Sequence, residues 1–159
     1  MKTKNIENYL NSFGQQVVKD AKANLSIAKG RTALGESIRF EVVPDSLGFT
    51  TKFYMDNYGE YLDKGVSGNE KEVSFQDYTG AIRSSPYKYT TKGPPIDILS
   101  KWIKRKGIKP KGLGRGRSKD TGQYISGFAY LISRKIKREG IKSLSFFQQP
   151  LGIHYDLLK

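Results

Sequence analysis

SIRFEVVPDSLGFTTKFYMD, residues 37–56, holds the decision about the fold, because here apolar residues stop recurring at every third or fourth position and begin to alternate. Ile38, Phe40 and Val42 fall on one side of an extended chain and Arg39, Glu41 and Val43 on the other, the pattern of a strand. PDSLG, residues 44–48, brings Pro, Asp and Gly to a turn, and FTTKFYMD is a second strand rich in Thr and aromatics. A hairpin with a medium-length loop is expected. Upstream, Ile6, Leu10, Phe13, Val17, Ala21, Leu25 and Ala28 step by three or four, the stripe of one amphipathic helix of about seven turns, with Gly30 placed just beyond its end.

Downstream, residues 57–64 space Tyr58, Tyr61 and Leu62 for a short helical turn that Gly65 stops. Residues 66–95 hold no sustained period and read as a long irregular arm, with a small hairpin at SFQDYTGAIR. Pro94 and Pro95 open a helix, since proline's missing N–H is harmless in a first turn. In it Ile98, Leu99, Trp102 and Ile103 are expected to share the core face, with Trp102 and Ile103 as its centre. KPKGLGRGRSKD, residues 109–120, reads as a mobile glycine and cation linker. Asp120 or Thr121 is then expected to cap a third helix carrying Ile125, Phe128, Ala129, Ile132 and Ile136 and ending at Gly140. IKSLSFFQQPL gives one more strand and IHYDLLK a tail. The expectation is a single α+β domain over 1–159: a long N-terminal helix and two further helices packed on a small antiparallel β-sheet, with 66–95 and 109–120 as extended arms.

Composition narrows the chemistry. There is no cysteine and a single histidine, His154, which removes disulfides, thiolate nucleophiles and histidine-rich metal sites together. The lack of cysteine fits a reducing cytoplasm. No apolar run suits a signal peptide or a bilayer span, so a soluble chain with no membrane association is expected. The net charge of +13 is regional: residues 93–142 carry 14 Lys and Arg against Asp97, Asp120 and Glu139. Such a block faces nucleic acid, an anionic membrane or an acidic protein partner, or serves as a solvated face.

Nucleotide motifs are weak. GRGR, residues 114–117, lacks the Lys-Ser/Thr ending and the buried strand of a phosphate-binding loop. Lys109, Lys111, Arg115 and Arg117 are nevertheless candidates to meet DNA or an acidic partner, as phosphate contact needs no special geometry. Phe75, Tyr78, Tyr87 and Tyr89 lie among Arg83, Lys88 and Lys92, a mixture suited to stacking bases or to a protein interface. Asp56, Glu60 and Asp63, three or four apart, form either an acid/base or cation-binding group or ordinary surface carboxylates; the second reading is preferred because no histidine, cysteine or serine constellation accompanies them. No cofactor and no metal site is expected.

Five segments in order, TALGESIRFEV, YGEYLDKGVSG, GPPIDILSKWIKRKGIKP and FAYLISRKIKREGIK after the long first helix, resemble the neck or tail-completion proteins of tailed bacteriophages. In that family the Tyr-Asp-Gly element is often followed almost directly by the proline pair; here residues 69–92 intervene. The resemblance implies a structural virion subunit and not an enzyme, made in the host cytoplasm. Its copies would form a dodecameric or hexameric ring between the portal or head-closure proteins and the tail, around a double-stranded DNA channel. It also implies that Tyr58, Tyr61 and Asp63 anchor the turn after the hairpin and that Gly65 and Gly68 allow a sharp exit. The alternative function is a basic nucleic-acid-binding protein working through residues 93–142.

Overall fold

The computed structural model describes residues 2–46, 48–109, 115–117 and 124–158, of which 2, 3, 115–117, 124 and 125 are described as backbone only. The predicted N-terminal stripe forms α1 (Lys2–Lys29), and Gly30 ends it in the left-handed region at φ 75°. Val17 and Ala21 are fully buried and Leu25 nearly so, but Ile6 is 51 % exposed. The stripe is therefore core only from its middle onward, and its first turns run out along the surface. A short helix absent from the sequence reading, α2 (Ala33–Ser37), is capped by Thr32, whose Oγ1 accepts from Gly35 N–H at 3.2 Å.

The hairpin is present as β1 (Arg39–Asp45) and β2 (Gly48–Tyr54), antiparallel from Arg39 opposite Tyr54 to Asp45 opposite Gly48. Pairing reaches further into the turn than a medium-length loop allows. The remaining elements are α3 (Tyr58–Lys64), β3 (Val66–Ser67), β4 (Ser74–Gln76), β5 (Ile82–Ser84), α4 (Ile96–Arg105), β6 (Arg115–Arg117), β7 (Tyr124–Ser126), α5 (Gly127–Glu139), β8 (Gly140–Ile141) and α6 (Gln148–Asp156). The fold class is α+β, with the strands arranged as four separate antiparallel pairs, β1–β2, β3–β8, β4–β5 and β6–β7.

Several local expectations are corrected. Residues 66–95 lie against the body: Ser67 N–H donates to the Tyr87 carbonyl and Tyr89 N–H to the Ser67 carbonyl, both at 2.8 Å, and Lys71 N–H reaches the Arg138 carbonyl at 3.1 Å. The small hairpin at SFQDYTGAIR is β4–β5, whose loop is closed by Asp77, an acceptor for Thr79 and Ala81 N–H. In the 109–120 segment Arg115–Arg117 form a ladder with Tyr124–Ser126 instead of a free linker. Asp120 and Thr121, the expected caps, lie outside the described residues; α5 begins at Gly127 with Ser126 at its N-cap, and Ile125 belongs to β7.

The largest difference is at the C-terminus, where a helix, α6, replaces the expected strand and tail. Strand alternation would turn one of two adjacent phenylalanines outward, yet Phe146 is 1 % and Phe147 8 % exposed. Pro150 is compatible with the helix because it sits in the first turn, where its absent N–H costs nothing.

The main core lies between α1, α2, the hairpin and the C-terminal segment: Val17, Ala21, Leu25, Leu34, Ile38, Phe146 and Phe147, flanked by Phe53, Leu62 and Leu144. The Phe53 ring meets Phe147 edge-on at 5.3 Å and Phe13 at 6.1 Å. A second cluster joins α4, α5 and β7 around Ile103 and Ala129, with Ser133 Oγ donating to the Pro94 carbonyl at 2.7 Å. On α4 Ile103 is buried, Ile96, Leu99, Ser100 and Trp102 are half-buried, and Ile98 is 59 % exposed. Ile103→Ala is accordingly expected to cost about 2–5 kcal/mol, and Trp102→Ala roughly 1–3 kcal/mol, less than a fully enclosed tryptophan; thermal unfolding of the two variants checks the order.

Candidate functional site

The stretch after β2 turns the chain through a crowded corner. Asp63, 2 % exposed, points inward from α3, and its Oδ1 accepts from Phe147 N–H at 2.8 Å and Gln148 N–H at 3.4 Å. It thus places a carboxylate on the first N–H groups of α6, which Phe147 at the N-cap has no oxygen to satisfy. The Asp63 carbonyl also accepts from Ser145 N–H at 3.0 Å and Ser143 Oγ at 2.6 Å, while Leu144 N–H donates to the Leu62 carbonyl at 2.9 Å. These bonds hold Ser145 at φ 46°, a conformation costing a non-glycine residue about 1–2 kcal/mol. Burial pushes the Asp63 carboxyl above its ordinary range, with the Phe147 and Gln148 N–H groups pulling the other way.

Gly65 and Gly68 complete the corner by close approach. A Cβ on Gly65 would lie 2.7 Å from Ser143 N, and one on Gly68 only 2.0 Å from the Arg138 carbonyl oxygen. The tyrosines play lesser parts. Tyr61 stacks with Tyr87 at 4.4 Å between ring centres but is 45 % exposed, and Tyr58, 46 % exposed, lies on the outer side of α3.

The three acids line one depression of about 290 Å³ together with Lys64 and Phe147, but each has its own use. Asp63 caps α6, Asp56 is exposed, and Glu60 accepts from the Tyr87 hydroxyl and pairs with Lys64 at 3.6 Å. The Tyr87 hydrogen bond holds the Glu60 carboxyl below its ordinary range, and Glu60 in turn pushes the Tyr87 phenol up to about 12. Pushing the two values apart keeps each group in its neutral-pH form, the reverse of what proton transfer between them near neutrality needs. Among the described residues no group of three or more His, Asp or Glu side chains is placed to hold a metal ion. No described helix is long and apolar enough to cross a membrane.

Two surfaces stand out. The first joins the ends of α1 and α6: Ile6 and Tyr9 are 51 % and 54 % exposed, Ile153 and Leu157 56 % and 72 %. The Tyr9 hydroxyl donates to the Leu157 carbonyl at 3.2 Å, and His154 Nε2 meets Asp20 Oδ2 at 2.7 Å, so α6 is clasped along α1. A shallow depression of about 190 Å³ lies between them, lined by Phe13 and Leu158 among others. Sequence reading missed this surface because it took 153–159 as a tail; the spacing of Ile153 and Leu157, four apart, was the available signal.

The second surface is cationic and belongs to α4 and α5. Lys109 is exposed just beyond α4; Lys111 lies outside the described residues, and Arg115 and Arg117 are seen as backbone in β6. β7 contacts both α4 and α5, and β6 pairs with β7. Compared with family models, with curated proteins and with solved structures, the chain gives no match.

Proposed function

We propose that this chain is a structural subunit of a tailed-bacteriophage virion, one copy of the neck or tail-completion ring that joins the portal or head-closure complex to the tail around the DNA channel. The observation that carries the reading is the apolar end formed by α1 and α6, where Tyr9 and Leu157 meet and Ile6 and Ile153, one turn away on the same helices, are also more than half exposed. Large apolar side chains gathered at one end of a protein mark a contact surface. The hairpin β1–β2 adds two unpaired edges, which pair readily with a neighbouring chain. Two different surfaces meeting head to tail give a ring when the rotation between copies closes. The order of the segments supports the same assignment, and the partners it implies are other copies of the chain together with portal, head-closure or tail proteins.

The test is assembly. Ile6→Asp combined with Leu157→Asp leaves the core untouched, so the free variant should keep the parent's circular dichroism and melting temperature. Particles made with it are expected to show heads without joined tails in electron micrographs. Normally joined particles would overturn the reading. In sedimentation the free parent protein is expected to run as small species, because the ring needs the neighbouring complexes to form.

A further inference from the structure

The positive charge of the α4–α5 surface is unevenly neutralised. On α5, Arg138 pairs with Glu70 at 2.8 Å and Lys135 with Glu139 at 3.9 Å. On α4 and just after it, Lys101, Lys104, Arg105, Lys106 and Lys109 are all exposed, and among the described residues none of them has a carboxylate within ion-pair distance. The one acid of residues 96–109, Asp97, sits in the first turn of α4, one turn before Lys101 but at the opposite end from Lys104, Arg105, Lys106 and Lys109, and it makes no ion pair within 4 Å among the described residues. Lys104 and Arg105 in the last turn do complement the helix dipole, a bland use that accounts for one or two cations. It leaves Lys101, Lys106 and Lys109 without such a use, and the exposed cations together make this end of α4 a positive surface that attracts anions.

The make-up of the cluster favours one kind of anion. Four of the five residues are lysine, which is depleted where proteins contact proteins, whereas arginine and aromatics are enriched there. A lysine ammonium on a long stem suits phosphate as a point charge and imposes no geometry. We infer that the C-terminal half of α4, with Lys106 and Lys109 just beyond it, is a binding face for the phosphate backbone of double-stranded DNA, read without base contacts. The inference deepens the ring reading, on which it rests for the source of the DNA, by naming the face that meets it; the DNA-binding measurement on free protein is independent of ring assembly.

A fluorescein-labelled DNA duplex titrated with the free protein at several salt concentrations tests this by anisotropy. Parent affinity is expected to fall steeply with salt and to be equal for two unrelated sequences. Changing Lys101, Lys104, Arg105 and Lys106 to Gln should lower the log–log salt slope by about 3–4, at about 0.9 per phosphate contact, and weaken binding about tenfold or more at moderate salt. A control with the same charge loss, Lys4, Lys19, Lys22 and Lys29 of α1 to Gln, should leave the slope as in the parent. Circular dichroism confirms that each variant is folded; should the fourfold α4 variant unfold, Lys106→Gln with Lys109→Gln, both beyond the helix end, should still lower the slope by about 2. Equal losses from the α4 and α1 variants would overturn the inference, since diffuse net charge would then explain binding. Displacement of the duplex by poly-glutamate at equal charge concentration would also overturn it, and would make an acidic protein the occupant.

Discussion

Gly68→Ala and Gly140→Ala are each expected to destabilise the protein by about 3 kcal/mol or more, the combined effect of overpacking and, at Gly140, an unfavourable backbone conformation. The two glycines lie where β3 crosses the end of α5. A methyl group at Gly68 would sit 2.0 Å from the Arg138 carbonyl oxygen and 2.4 Å from its carbon. At Gly140, where φ is 83°, it would sit 2.2 Å from the Val66 carbonyl oxygen and 2.6 Å from Gly68 N. Both obstacles are backbone, so no side chain can rotate away, and relief requires breaking the β3–β8 pair, Val66 with Ile141 and Ser67 with Gly140. Gly30→Ala is the internal control: φ is 75° but nothing lies within 4 Å of the added carbon, so only the conformational cost of about 1–2 kcal/mol remains. Urea unfolding of the three variants should separate them clearly. A Gly68→Ala protein as stable as the parent would mean that the crossing is looser than the structure shows.

Asp63→Ala is expected to cost about 2–4 kcal/mol, because it removes the acceptor for the first N–H groups of α6 at a buried site and leaves them unpaired. Asp63→Asn retains an oxygen for Phe147 N–H and should lose far less. The pair also predicts a pH dependence with a definite sign. Burial raises the folded-state pKa of Asp63 above its unfolded value, so the folded protein holds this proton more tightly. The associated stability is fully present below the unfolded value and is lost as pH rises through the folded one. Other carboxylates act in the opposite sense: the Asp77 carboxyl is held down to about 2, by Thr79 first and Arg83 next, and supports the fold above the ordinary carboxylate range. The contribution of Asp63 is therefore read as parent minus Asp63→Asn. This difference should decline from acid toward neutral pH in a series of urea titrations. A difference that stays flat, or rises, would show that hydrogen bonding outweighs burial at this carboxyl.

Local physics carried much of the fold. The three- and four-residue spacing from Ile6 to Ala28 set the course of α1, and the alternation from Ile38 set the hairpin, since both periods follow from backbone geometry alone. Gly30, Gly65 and Gly140 stop their helices where the sequence places them, and Pro95 precedes α4 as expected. The corner was legible in its glycines and in Asp63, while the tyrosines beside it are mainly surface.

What the tertiary structure alone decided are the features whose partners lie far away along the chain. The C-terminal helix begins within the segment expected as a strand, because Phe146 and Phe147 just before it both sink into the α1 core and a carboxylate 84 residues upstream caps the first turn. Ile98 turns outward although it is as apolar as Leu99, because α5 and β7 cover only one side of α4. The exposed end shared by α1 and α6 exists only once those helices lie side by side, and the uncompensated charge of α4 appears only when the acids of its neighbours are seen to pair elsewhere. Periodicity records which residues share a face of one element; which face is then covered, and by what, depends on packing between elements distant in sequence.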